Sequence, residues 1–290
     1  KLRILYGEKP FSSPVYNTDI ANFMLNMQYI EEDPNPYVLV APSYFVYNFD
    51  FNEAFNAHVE SGADITVLYT STNDAKTKFL SCDVIQMDKE KRILSFEKNR
   101  GKSKNRQVSM EAYILSKALF IQLIKQATNV SSLYWFKDIL HDQVNELVIK
   151  GYGVRGYVAC IDSLSAFYKV AMELKNLNNA EALFKEDRPI YTQTNDSSPT
   201  RYTSDACVKE SIIANGCLIE GTVEGSIIGR NVTIKEGAYV KDSIIMTDAV
   251  IDKDAKLEYV VVDKYAIVHH IKKLVGSEDS PVYVKRRDRI

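Results

Sequence analysis

Apolar and polar positions alternate between helical and extended patterns over the first 175 residues. Ile20, Phe23, Met24, Met27 and Ile30 recur at helical spacing behind Thr18 or Asp19, which predicts a capped helix over 18–30. Residues 52–61 predict a second helix, stopped by Gly62. The runs YVLVA (37–41) and DITVLY (64–69) are short, continuous and apolar, as in buried parallel strands. Strand, helix and strand in that order make a βαβ unit. Further strands are predicted over 79–87, 93–96, 109–115, 147–151 and 157–160, and helices over 117–126, 135–143 and 163–175. The expectation is a mainly parallel mixed sheet flanked by helices. Residues 188–202 are rich in Pro, Ser, Thr and Asn and read as a linker.

After residue 205 the period changes. The stretches KESII, EGSII, KDSII and LEYVV align with their third positions at 211, 226, 243 and 259, at intervals of 15, 17 and 16. Between them a smaller unit, small–x–apolar, recurs at one or two steps of five or six residues: Val232-Thr233-Ile234, Ala238-Tyr239-Val240, Ala249-Val250-Ile251, Ala255-Lys256-Leu257 and Ala266-Ile267-Val268. A six-residue repeat, three to a coil, predicts a parallel β-helix with small and branched side chains inside. Asn215-Gly216, Arg230-Asn231 and residues 252–254 would turn its corners. Residues 282–285 would supply a closing strand.

A length of 290 residues suits two domains of about 150. Hydrophobic residues at 46% and charged ones at 26% exclude a mostly disordered or collagen-like chain. No apolar run approaches the roughly 18 residues of a membrane-spanning helix. A net charge of −2 argues against a dedicated nucleic-acid binder. The four cysteines at 82, 160, 207 and 217 contain no Cys-x-x-Cys pair and read as reduced thiols serving as small hydrophobes. With no signal peptide recognised, a cytoplasmic location is expected. The chain starts at Lys1, not Met, so it is expected to begin inside a longer protein.

Four motifs then narrow the field: Phe96-Glu97-Lys98, Ser109-Met110-Glu111-Ala112-Tyr113, Phe136-Lys137-Asp138-Ile139-Leu140 and Arg188-Pro189-Ile190-Tyr191-Thr192. In this order, ahead of a hexapeptide solenoid, the chain resembles the glucose-1-phosphate adenylyltransferase (ADP-glucose pyrophosphorylase) family. The first motif is similar to that family's Glu-Lys-Pro sugar-phosphate element, with Asn99 for Pro, and the second to its Ser-Met-Gly-x-Tyr strand. The third is similar to the end of its Asp-Phe-Gly-Lys-Asp-Ile element, and the last to its entry into the β-helix. The resemblance implies an α/β fold, an N-terminally incomplete nucleotidyltransferase-like (Rossmann-like) mixed sheet with helices, followed by a left-handed parallel β-helix. The expected divisions are 1–187 for the α/β domain, 188–204 for the linker and 205–290 for the β-helix. Glu97, Lys98, Ser109 and Lys137 become the implied, vestigial substrate-binding residues. The ordinary alternatives are solvated lysines and a strand serine satisfied by backbone.

The departures bear on activity. In the family's reaction a sugar phosphate attacks the α-phosphorus of ATP, helped by charge neutralisation and by Mg²⁺ held on two aspartates. The stretch at the first aspartate reads Pro42-Ser43-Tyr44-Phe45-Val46-Tyr47, which places Tyr44 there. The stretch at the second reads Val158-Ala159-Cys160-Ile161-Asp162-Ser163, which places Cys160 there. Thr18-Asp19-Ile20-Ala21 occupies the region of the family's Gly-Thr-Ala-Asp segment, and the family's Gly-rich triphosphate loop is absent because the chain starts too late. The resemblance therefore implies no catalytic residue and no strongly bound cofactor here, although the catalytic relatives use Mg²⁺.

The implied role is a regulatory or scaffold subunit, itself weak or inactive, partnering the catalytic subunit in a homo- or hetero-tetramer, with no nucleic acid or membrane partner. Tyr239, Tyr259 and Tyr265 would suit such an interface. An active enzyme with shifted metal ligands is the alternative, since Asp162 keeps the strand face of Cys160. A β-helix acyltransferase, which needs a coil histidine, is the second. His269 and His270 are neighbours expected to point opposite ways along a strand, which disfavours a metal site. His58 and His141 read as structural. Residues 98–106 hold five basic side chains in nine, either a solvated loop or a site for an anionic effector or polyphosphate. The basic C-terminal run at 285–289 poses the same choice.

Overall fold

The computed structural model describes residues 4–5, 18–131, 133–192 and 194–290. The chain divides into two compact units, one holding Phe49–Val158 with the described residues up to Phe45, the other holding Val46–Asn48 with Ala159–Ile290. The second unit therefore takes in residues 159–187, which the sequence groups with the α/β domain.

In the first unit, α1 (Asp19–Leu25) is capped by the Thr18 hydroxyl, which accepts the Ala21 N–H at 3.2 Å. The expected single helix breaks at Asn26, and α2 (Met27–Glu32) follows. Next come β1 (Tyr37–Val40), β2 (Phe45–Tyr47), whose last two residues fall in the second unit, α3 (Phe51–Ser61), β3 (Ile65–Thr72), β4 (Asp83–Met87), β5 (Ile93–Lys98), β6 (Arg106–Ser116), α4 (Lys117–Val130), α5 (Phe136–Gln143) and β7 (Ile149–Gly153). Helix α3 ends where Gly62 turns to φ +61°, a conformation glycine adopts without steric cost. His58 on this helix is buried, and its Nδ1 lies 2.9 Å from the Thr66 hydroxyl, a structural role as expected.

The sheet runs β5-β4-β6-β3-β7, with β1 on β6. Only β3 and β7 are parallel; every other pairing in it is antiparallel. This corrects the expectation of a mainly parallel sheet. β1 and β3 do run the same way around α3, but β6 lies between them and pairs antiparallel with both. β1 is also half-exposed, unlike the fully buried start of β3. Ile65, Val67, Leu115, Leu123, Ile124, Phe136 and Leu140 fill the core between sheet and helices.

The second unit contains β2 paired with β8 (Val158–Cys160), then α6 (Leu164–Glu173) and the unexpected α7 (Leu177–Leu183), then a three-sided parallel solenoid. One face stacks Arg201–Tyr202, Leu218–Ile219, Thr233–Ile234, Val250–Ile251 and Ile267–Val268. The second stacks Cys207–Lys209, Thr222–Glu224, Tyr239–Lys241, Lys256–Glu258 and Lys273–Val275. The third stacks Ile212–Ile213, Ile227–Ile228, Ile244–Ile245, Val260–Val262 and Val282–Val284, the last being the expected closing strand. The first strand lies inside the stretch read as a linker. Alternate residues point inward, so Val232, Ile234, Ala249, Ile251, Ala266 and Val268 are all 0% exposed. Each larger one contributes about 1.5–3 kcal/mol of burial.

One register expectation is corrected. Ser243 stands opposite Val260, not Tyr259, because Ile244 pairs with Val261. Tyr259 instead takes the corner, with φ +53°, in column with Glu210, Gly225 and Asp242 at +47°, +59° and +41°. Tyr259 also packs against Tyr168 of α6, with ring centroids 6.3 Å apart, and Tyr168 donates its hydroxyl to the Asp242 carbonyl at 2.7 Å. Tyr259 is thereby engaged inside its own unit, whereas Tyr265 stays exposed. His269 and His270 lie just past the strand end and so do not alternate: their rings are 4.0 Å apart, and His269 Nδ1 contacts Asp252 at 2.8 Å.

A serine ladder joins successive coils. Ser211 accepts the Ser226 N–H at 3.0 Å, Ser226 accepts that of Ser243 at 3.0 Å, and Ser243 accepts that of Val260 at 3.0 Å. Each hydroxyl in turn donates to a carbonyl two residues earlier. Ser226 and Ser243 are 0% exposed. Ser243→Ala strands the Val260 N–H in a dry corner and should cost about 1–3 kcal/mol. Urea unfolding followed through the solenoid transition checks this; an unchanged midpoint would contradict it.

Candidate functional site

Strand β6 carries the site through an irregularity. Leu68 pairs with Ala112 but Tyr69 pairs with Ser109, so Met110 and Glu111 are extra residues in β6. Glu111 sits at φ +50°, a left-handed conformation that glycine takes freely and other residues only at a cost of about 1–2 kcal/mol. It stands where the resembled Ser-Met-Gly-x-Tyr strand has its glycine. A bulge re-aims a side chain, and here it sends the carboxylate toward α5. Lys137 Nζ donates to Glu111 Oε1 at 3.2 Å, and the Tyr44 hydroxyl donates to Glu111 Oε2. Ser109 is buried, and its hydroxyl accepts the Glu111 N–H at 3.2 Å.

Carboxylates crowd the surroundings. Asp19 in the first turn of α1 accepts the Phe136 N–H at 3.0 Å and the Ile20 N–H at 2.8 Å. Its pKa is pushed up to about 6, chiefly by burial, with Asp138 and Glu111 adding to the rise against the pull of its hydrogen bonds. Asp83, opposite Lys98 in the β4–β5 pairing, goes the other way. Burial alone would raise it, but His141, then Lys137 and Lys98, hold it below the usual carboxylate range. His141 Nε2 lies 3.4 Å from Asp83 and its ring stacks on Phe96 at 4.9 Å, consistent with the structural role expected of it. Burial would lower Lys137, yet Glu111, Asp83 and Asp138 together raise it, so it stays a full cation.

The structure thus brings together Tyr44, Ser109 and Lys137, with Lys98 on the same side through Asp83. Glu97 is not among them. Strand alternation puts it on the opposite face, where it accepts from Gln86 Nε2 at 2.7 Å. Cys160 is buried in the second unit. Asp19 and Glu111 also belong to the site, through Phe136 and through Lys137 and Tyr44, and the motifs do not point to either as a site residue. The one available signal was a charged residue at a motif's glycine position.

Hard cations such as Mg²⁺ want uncommitted carboxylate oxygens. The donors present fit such an ion poorly. Tyr44 offers a phenol, and the Glu111, Asp19 and Asp138 carboxylates already accept from Lys137, Phe136 and Trp135. Among the described residues, no group of three or more His, Cys, Asp and Glu is arranged to hold a metal. No helix of the described residues is long and apolar enough to cross a membrane.

Two family models match, one described as nucleotidyl transferase over residues 8–154, about half the chain, and one as GlmU-like, C-terminal hexapeptide over 198–280. The chain is 33% identical over 220 residues to the glycogen biosynthesis protein GlgD of Geobacillus stearothermophilus, covering 76% of this chain and 54% of that protein. It is 27% identical over 248 residues to the glucose-1-phosphate adenylyltransferase of Bacillus thuringiensis (strain Al Hakam), covering 84% of this chain and 65% of that protein. It is 28% identical over 291 residues to that of Shewanella sp. (strain ANA-3), covering 92% and 69%. The chain thus spans between about half and two-thirds of the length of these relatives.

The shifted Asp19 gives a pH test. An acid whose folded pKa, about 6, lies above its unfolded value of 3.8 stabilises the fold while protonated. That contribution is complete below about pH 4 and is lost as pH rises through about 6. Asp19→Asn keeps an acceptor for the Phe136 N–H without the charge. Relative to the parent, the variant should gain about 2 kcal/mol between pH 4 and pH 7, read from urea unfolding at each pH. A difference that stays constant across this range would contradict the assignment.

Proposed function

The chain belongs to the nucleotidyl transferase family, and we propose that it serves glycogen biosynthesis as a regulatory or scaffold subunit of glucose-1-phosphate adenylyltransferase, itself weak or inactive. Its similarity to a glycogen biosynthesis protein and to adenylyltransferases supports the pathway. The observation that carries the subunit reading is the interlock of Tyr44, Glu111 and Lys137. The family reaction makes ADP-glucose and diphosphate from ATP and glucose 1-phosphate, so the site must gather negative charge. A lysine already neutralised by Glu111 attracts little further anion, and the carboxylate itself repels a sugar phosphate. Tyr44 in turn supplies a phenol that Glu111 has engaged. The departures from the family pattern satisfy one another instead of a substrate.

The partner is then a catalytic adenylyltransferase subunit, joined in a homo- or hetero-tetramer. The stacked solenoid, with exposed Tyr265 among its outward side chains, is the natural docking element.

Purified chain given ATP, glucose 1-phosphate and Mg²⁺ should form no detectable ADP-glucose. Losing one charge-stabilising group in such sites costs on the order of 10²–10³ in rate, and losing both metal carboxylates should cost more. A turnover of about one per second would favour the active-enzyme reading instead. Light scattering of the chain alone, then mixed with a catalytic subunit, should show an oligomer and a mixed complex with altered rate or effector response. A strict monomer without effect on that subunit would remove the proposal's support.

A further inference from the structure

Four of the five basic residues of 98–106, Lys98, Arg100, Lys102 and Arg106, line a cleft that the Lys137 network does not use. The cleft, of about 360 Å³, is lined by Glu97, Lys98, Asn99, Arg100, Lys102 and Arg106. That is within the range of small-ligand sites, roughly 300–1,000 Å³. Its floor belongs to the far face of the sheet: Glu97 pairs with Val84, and Val84 with Val108, two residues from Arg106. Lys98 also lines the cleft, although it pairs with Asp83 on the Lys137 side.

Two features separate this loop from a solvated tail. The first is order. Asn99 is buried, and its side-chain amide donates to the carbonyls of Ala75 and Phe79 at 2.9 Å and of Lys78 at 3.2 Å. Its Oδ1 accepts the Gly101 N–H at 3.1 Å, and the Lys104 carbonyl accepts from Ala75 at 3.0 Å. Gly101 turns at φ +67°, where a Cβ would stand 3.0 Å from the Lys76 carbonyl. The Arg106 guanidinium is itself held by the Ser103 hydroxyl at 3.1 Å.

The second is unbalanced charge. Among the described residues, Arg100, Lys102 and Arg106 form no ion pair with a carboxylate. The one acid of the cleft, Glu97, is turned to Gln86. Like charges held together on a fixed loop create a positive potential that a multivalent anion relieves. Guanidinium forks match phosphate oxygens in particular. A cleft of this size in a chain of net charge −2 suits a small molecule better than a nucleic-acid strand.

We infer that the cleft of Arg100, Lys102 and Arg106 binds a small phosphate-bearing anion of two or more charges. It lies across the sheet from Lys137, and it holds whether or not the chain is a regulatory subunit.

The test is calorimetric titration of the full chain with tripolyphosphate, and separately with inorganic phosphate, at 50 mM and 200 mM salt. Tripolyphosphate should bind one to one, more tightly than phosphate, and several-fold more weakly at the higher salt. Arg100→Gln and Arg106→Gln should each weaken binding about 10-fold, with circular dichroism confirming the fold. Lys137→Gln and the solenoid variant Lys253→Gln should leave binding unchanged. No binding at millimolar probe would overturn the proposal. So would full binding by both arginine variants, loss of binding in Lys137→Gln, or a single-stranded oligonucleotide that outcompetes tripolyphosphate.

Discussion

A half-buried ammonium needs a counter-charge, and the arrangement of the first unit turns on how Lys137 gets one. Glu111 reaches it only because β6 carries two extra residues and accepts a left-handed backbone at that point. The same carboxylate takes the Tyr44 hydroxyl, while Ser109 holds the Glu111 N–H. One ion pair therefore ties a strand, a loop and the first turn of α5 together. Asp19 adds a second tie to that turn through the Phe136 N–H. Burial makes both contacts costly to break, since each would leave a polar group without a partner in a poorly hydrated place.

The solenoid satisfies its polar groups by a different logic. There each coil repeats the one before it, and a hydroxyl or carbonyl finds its partner by translation of 15 or 17 residues. The interior needs only small and branched side chains at alternate positions, and the corners need residues that tolerate positive φ. Asn231, Asp248 and Asp254 meet that need at ordinary cost. Tyr259 and Tyr265 do so at greater cost. Tyr259 is held by packing on Tyr168, and Tyr265 lies beneath the guanidiniums of Arg286 and Arg287 at 5.6 and 5.7 Å.

The amino-acid pattern alone determined the helix stop at Gly62, the alternating inward positions of 232–268 and the closing strand, and it narrowed the first helix cap to Thr18 or Asp19. Each depends on neighbours within a turn or on one repeated interval. It went astray by one residue at Tyr259, where apolar character suggested a face position and the column of positive-φ corners decided otherwise. It also made the sheet too parallel, because a βαβ pattern gives the direction of two strands but not whether a third is inserted between them.

The site shows the same division. Lys137, Ser109 and Tyr44 could be pointed to from motifs, because each stands at a recognisable position in a short stretch. That Glu111 would join them could not. Its partners lie 26 and 67 residues away, and Phe136 lies 117 residues from Asp19. Interval and composition carry information about contacts that recur along the chain. A bulge that turns one side chain across a sheet is a single event, set by how β3 and β6 register against each other, and only the tertiary structure could decide it.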